Sequence, residues 1–192
     1  MKKFRALFAA TLASGVLLGG IASPANADSA IVSTFDGAYA GEDKLSGYTT
    51  SASLLPGEAL KLRVRSVGTW SVKIIRIGSY AGGDGQVVDS VTSQSAVSQP
   101  DCTMTADTFM VSCPWNDTLS FATGSWPTGL YVARLEASDG YAVAPFVVRS
   151  SNNAGKTVVN FGLLTLAAYN KFGGTSAYRG LDNTSSGKAK VI

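Results

Sequence analysis

Between residues 28 and 150 no stretch holds a helical period of apolar residues over ten positions; short alternation broken by Gly and Pro takes its place. A half-buried strand repeats every two residues and a helix every 3.6, so this region reads as all-β. Leu60-Lys61-Leu62-Arg63-Val64-Arg65 alternates apolar and basic, which predicts a strand with one wet face. Pro56-Gly57-Glu58 before it is a turn signal. A second strand is expected over residues 70–77. Its inward set Trp70, Val72, Ile74 changes phase to Ile75 and Ile77, which predicts a bulge or burial on both faces. Further strands are expected over residues 86–91, 129–137 and 141–149, the last two joined by the turn Ser138-Asp139-Gly140. Pro145 cannot donate to a ladder, which argues for an edge or a bulge at that point. Many short strands with Gly and Pro turns over this length predict a β-sandwich of immunoglobulin-like type across residues 28–150.

The first 27 residues read as an address rather than as structure. Lys2, Lys3 and Arg5 precede an uncharged apolar run over residues 6–21, and Ala25-Asn26-Ala27 is a small-x-small cleavage site. This is the order of a Sec-type signal peptide, with a secreted chain beginning at Asp28. The apolar run is short for a membrane span of about 20 residues, and no later segment is long and apolar enough to replace it. Export gives the only two cysteines a meaning. Cys102 and Cys113 lie eleven positions apart and are expected to form a disulfide in an oxidising compartment. The close spacing of a redox-active C-x-x-C pair is absent.

Charge and composition remove most other classes. The formal net charge of +3 comes from 16 basic and 13 acidic residues, and three of the basic ones sit in the first five positions. The remainder is neutral, which argues against nucleic acid or an anionic membrane as partner. With no His, Ser-His-Asp and Cys-His catalysis, His-based zinc sites and His-ligated haem are excluded.

After a polar hinge over residues 150–155 the pattern changes. Thr157-Val158-Val159-Asn160-Phe161 lacks strict alternation and reads as a short buried parallel strand. Residues 163–169 suit one or two helical turns, residues 171–188 a loop, and Ala189-Lys190-Val191-Ile192 the start of another strand. About 40 residues of a new pattern are fewer than a second domain needs, so residues 151–192 are expected to be a hinge and the truncated start of an α/β domain. A complete product should bury Phe161, Leu163 and Leu164; a fragment should leave them exposed.

Single motifs are weak. Gly82-Gly83-Asp84-Gly85 lacks dinucleotide-loop spacing and reads as a tight turn. Asn116-Asp117-Thr118 and Asn183-Thr184-Ser185 fit the glycosylation sequon. Trp70, Trp115 and Trp126 suit either a sugar-stacking platform or the core. The phenol of Tyr169, between an apolar run and Asn170, reads on composition as half-buried.

Taken together the motifs are more specific. Arg76-Ile77-Gly78-Ser79-Tyr80-Ala81-Gly82-Gly83-Asp84-Gly85 resembles R-x-G-W-Y-G-G-x-G of the N,N-dimethylformamidase large (beta) subunit-like family, with Ser79 for Trp and Ala81 for Gly. Cys113-Pro114-Trp115 resembles its C-x-W, Trp126-Pro127-Thr128-Gly129-Leu130-Tyr131 its W-P-S-G-x-Y, and Pro145-Phe146-Val147-Val148 the strand that ends its sandwich. Residues 165–178 resemble T-W-Q-A-Y-N-x-W-G-G-x-S-L-Y, with departures at Leu166, Ala167, Phe172 and Ala177. The resemblance spans roughly residues 45 to 180 and is to the N-terminal part of such proteins.

It implies a β-sandwich followed by an α/β domain of glutamine-amidotransferase-like fold. In the dimethylformamidase branch that second domain carries one iron held by two Tyr and one Glu, a Lewis acid that activates water for amide hydrolysis. Phenolate and carboxylate suit a hard ferric ion. The A-Y-N tyrosine carries over to Tyr169 as a candidate metal ligand, with the other ligands beyond Ile192. Three functions follow as expectations. The first is the secreted N-terminal portion of a metal-dependent amide hydrolase, inactive alone, with no cofactor in this chain and iron in a full-length form. The second is a stand-alone secreted β-sandwich binding or cell-surface module, with a cell-wall component as partner. The third is a structural wall protein.

Overall fold

Leu60, Leu62 and Val64 are fully buried, while Lys61 and Arg63 reach Asp117 from the opposite side of the strand at 2.9 Å each. The alternation in the sequence is therefore the division between core and solvent. The computed structural model describes residues 30–180 and 188–190. The expected signal segment 1–27, the start at Asp28, Asp182, the sequon at Asn183 and the last two residues lie outside the described residues.

The first six strands are β1 (Ile31–Val32), β2 (Leu45–Thr49), β3 (Ser53–Leu54), β4 (Ala59–Ser66), β5 (Trp70–Tyr80) and β6 (Gly83–Gln94). Five follow: β7 (Thr103–Met104), β8 (Val111–Ser112), β9 (Leu119–Ala122), β10 (Gly129–Ala137) and β11 (Gly140–Val148). One helix, α1 (Leu163–Tyr169), and a 3-10 turn over Phe172–Gly174 come after. The chain is mainly β. One sheet runs β1-β6-β5-β10-β11-β3, a second β2-β4-β9, and β7-β8 is a separate hairpin. Strand pairs are antiparallel except β11 with β3. Among the described residues no helix is long and apolar enough to cross a membrane.

The two larger sheets share one apolar core. Leu45, Leu60, Leu62, Val64 and Phe121 of the smaller sheet belong to the same buried cluster as Val72, Ile74, Tyr131, Leu135 and Phe146 of the larger. The phase change in β5 is both a bulge and two-sided burial. Its register against β6 shifts between Ile74 and Ile75, and Ile75 then packs on the opposite face with Val87 and Val132. Pro145 sits in β11 opposite Val132 of β10. On the outer side β3 pairs only with Val147 and Val148, so the missing donor falls at an edge as expected.

Two strand expectations are overturned, at residues 157–161 and at Ala189 and Lys190. Residues 157–161 form no strand, and Val158 and Val159 are each 82% exposed. An apolar β-branched run becomes a strand only where a ladder partner waits, and the pairing of β11 with β3 ends at Val148. Leu164 is also exposed, at 78%, while Phe161 is half-buried. The helical turns were correctly placed at residues 163–169. Ala189 and Lys190 are not in a strand; Ala189 N–H donates to Ser176 O at 3.0 Å and Lys190 N–H to Thr108 O at 2.8 Å.

Candidate functional site

Tyr169 closes α1, whose last carbonyls are capped by Asn170 N–H donating back to Leu166 O and Ala167 O. Its side chain is 61% exposed rather than half-buried, and its ring stacks flat on Tyr178 with centroids 4.2 Å apart and planes 13° from parallel. The bond from Ala177 N–H to Ala168 O, 3.0 Å, brings the two rings together. A phenolate ligand for a hard ion has to be turned into a pocket of oxygen donors. Here the ring lies on the surface, and among the described residues no three His, Cys, Asp or Glu side chains come together. The described residues around Tyr169 therefore do not by themselves complete an iron site, and no reaction step is derived from one.

The chain after α1 folds back onto the disulfide hairpin. Cys102 and Cys113 are bonded, as expected of the only cysteine pair, and close the ends of β7 and β8. Trp115 next to the bridge is buried, donates Nε1–H to Pro100 O at 2.9 Å, and meets the Phe172 ring edge-on at 6.0 Å. Gly173 N–H donates to Glu42 Oε2 at 3.1 Å, and Thr175 Oγ1 to Phe109 O at 3.0 Å. Gly173 has φ +78°, and a Cβ there would lie 2.7 Å from Val111 Cγ1, so both the turn and the close approach require glycine.

This docking forms one wall of a cleft of about 640 Å³. Its other walls are β2, the start of β11 and β8. Tyr39, Tyr48, Tyr141 and Phe172 line it, with Glu42 and Asn170 among its polar groups, and its lining includes no Lys or Arg. Two of the rings are packed against guanidinium groups. Arg134 lies 4.0 Å from the Tyr141 ring centre and Arg63 5.8 Å from that of Tyr48. Tyr48 Oη donates to Cys113 O at 2.6 Å, which ties the disulfide to β2. The Tyr141 hydroxyl donates to Phe35 O at 2.8 Å, and the neighbouring Tyr39 hydroxyl and its burial push its pKa above the ordinary tyrosine value. The Arg63 guanidinium donates to Tyr48 Oη and Asp117 Oδ1, and these bonds raise its pKa. Of these cleft residues the sequence marked Cys113, Asn170 and Phe172, for other tasks, while Tyr39, Glu42 and Tyr48 carried no signal. They come from separate places along the chain and share no spacing.

The family model described as N,N-dimethylformamidase beta subunit-like, C-terminal, matches residues 71–191. The chain belongs to that family. A search of curated proteins gave no match. The matched segment takes in β5 to β11 as well as α1 and the docked turn.

Within this dimethylformamidase beta subunit-like chain the motif residues have structural tasks. Arg76 Nη1 donates to Tyr80 Oη at 3.1 Å and Nη2 to Thr128 O at 3.0 Å, tying the first motif to the third. Trp126 stacks on Tyr131 at 5.8 Å, and Tyr131 on Phe146 at 5.4 Å, all inside the core. All three Trp are at most 5% exposed, so of the two readings left open the core reading holds and the tryptophan sugar platform falls. Gly82, with φ +97°, turns β5 into β6.

Proposed function

We propose that this chain is the secreted N-terminal portion of a dimethylformamidase-like protein. In this reading the two-sheet body is an immunoglobulin-like β-sandwich over residues 28–150, accessory to a metal-dependent amide hydrolase domain of amidotransferase-like fold. Residues 151–192 are the hinge and the beginning of that domain. One observation carries the reading beyond the family match. Val158, Val159 and Leu164 stand 78–82% exposed on the segment after β11, and Val158 and Val159 line a groove of about 520 Å³ with Leu130, Val147 and Phe161. Side chains of this size gain roughly 1.5–3 kcal/mol each on burial, which favours a covering domain in a longer form. Tyr169 would serve a metal only in that form, after its ring leaves Tyr178. A second reading, a secreted binding or cell-surface module without catalysis, is favoured by the Tyr39 cleft.

The test compares three proteins in iron content and N,N-dimethylformamide turnover: the 192-residue chain, an extended chain, and the extended Tyr169→Phe variant. The expected result is iron and turnover in the extended chain alone, with both reduced together in the variant. Stoichiometric iron in the short chain, or unchanged iron in the variant, would sink the assignment of Tyr169. Absence of turnover and iron in every form would leave the binding-module reading. N-terminal sequencing of exported protein should begin at Asp28; an intact Met1 on a membrane-bound product would remove secretion.

A further inference from the structure

We infer that the Tyr39 cleft binds a short neutral oligosaccharide. The inference deepens the binding-module reading and does not depend on the hydrolase reading. The cleft volume of about 640 Å³ is within the range of small-molecule sites, roughly 300–1,000 Å³. Tyr39 is 65% exposed, yet it is not a loose surface ring. It forms a backbone bridge with Tyr141, Ala40 N–H donates to Tyr141 O at 2.9 Å, and the two rings stand 4.5 Å apart. An aromatic side chain held in place with most of its surface open is a preformed platform for an apolar ligand face.

The groups around it can address hydroxyls. Glu42 supplies a carboxylate acceptor and Asn170 an amide at the same cleft. The backbone of β2 adds more. Gly47 pairs in register with Val64, but Val64 N–H donates away from β2, to Thr118 Oγ1 at 2.9 Å. The Gly47–Val64 pair is therefore of the non-hydrogen-bonded kind, and the N–H and C=O of Gly47 point outward from the ladder, toward the cleft that Gly47 lines.

Charge selects the ligand class. A lining with one carboxylate and no Lys or Arg disfavours anions. Organic cations are disfavoured because Arg63 and Arg134 already lie against the Tyr48 and Tyr141 rings and place positive charge behind those walls. A neutral ring with an apolar C–H face and polar edges meets both conditions, as a pyranose does.

The test is titration calorimetry of the exported chain with cellohexaose, chitohexaose and mannohexaose, and with tetramethylammonium as the cationic comparator. At least one sugar should bind saturably below about 10 mM. Tyr39→Ala should weaken that binding about tenfold, Tyr39→Trp should keep it, and Glu42→Gln should weaken it less. Melting temperatures show whether each variant is folded, and the Trp variant keeps the test open if the Ala variant is not. No saturation by any of the three sugars overturns the inference. So does sugar binding indifferent to Tyr39, or saturation by tetramethylammonium alone. None of these outcomes touches iron or turnover, which decide the hydrolase reading separately.

Discussion

Replacing Tyr131 by Phe should change the pH dependence of stability at high pH. The Tyr131 ring is fully buried between Trp126 and Phe146, and its hydroxyl donates to Pro127 O at 2.5 Å. Burial pushes its pKa up to about 12, with the Arg76 charge pulling the other way. Below pH 10 the hydroxyl is protonated folded and unfolded, and its contribution is fully present. Above the ordinary value of about 10 the unfolded chain gives up this proton while the folded chain keeps it. Stability then falls as pH rises toward the folded value. Two pH units correspond to roughly 2.7 kcal/mol for a wholly sheltered group; with solvent at exposed Pro127 screening the hydroxyl, about 1–2 kcal/mol is the better figure. At pH 7 the variant loses one hydrogen bond, worth about 1 kcal/mol. The variant should therefore be less stable than the parent at pH 7, equal to it near pH 11, and more stable above. Urea midpoints for both proteins across this range measure it, and the difference between them cancels the titrations they share. A gap that stays constant or widens up to about pH 11.5 refutes the argument.

Two further outcomes follow from the docked hairpin. Cys102→Ser with Cys113→Ser should cost about 3 kcal/mol in the chain-entropy account of an eleven-residue loop, seen as a lower urea midpoint; reactive thiols in the native parent would contradict the bridge. Gly173→Ala should release the segment after α1 from β8, because the new methyl meets Val111 at 2.7 Å in a φ +78° turn; faster amide exchange confined to residues 170–180 is expected. Gly155→Ala, also at positive φ but with nothing within 4 Å, should leave that segment protected, and equal effects of the two would show that backbone strain alone is being measured.

The strands that were legible are those in which burial alternates with strong contrast. Leu60 to Arg65 and the span of β10 read correctly because every second residue is apolar over most of their length. β2 was not legible. Its sequence, Leu-Ser-Gly-Tyr-Thr, offers one large aliphatic residue, and its place at the core comes from Gly47, where a Cβ would lie 2.6 Å from Leu135 Cδ1. Absence of a side chain leaves no periodic signal. Two-residue strands such as β1, β3, β7 and β8 are too short to show a period at all. Residues 157–161 failed for the opposite reason: the composition suited a strand, but strand formation depends on a neighbour that composition does not report. The cleft was invisible because five segments assemble it, and Tyr39 carries no motif.

The five motifs that marked the family fall into two mechanical groups, and this limits what they imply about chemistry. Arg76, Thr128, Tyr131 and Phe146 fasten β5, the β10 approach and β11 around one end of the core. Cys113, Trp115, Phe172 and Gly173 fasten the segment after α1 to the disulfide hairpin. Each of these residues is accounted for by a stacking contact, a hydrogen bond, a covalent link or a turn that only glycine tolerates. A metal at Tyr169, as proposed above, would need the Tyr169–Tyr178 stack opened. The same fastening has a separate consequence for binding. By pinning Phe172 and Gly173 beside Glu42 and Tyr48, it sets the width of the Tyr39 cleft, so the motif that carries Tyr169 also shapes one wall of that cleft.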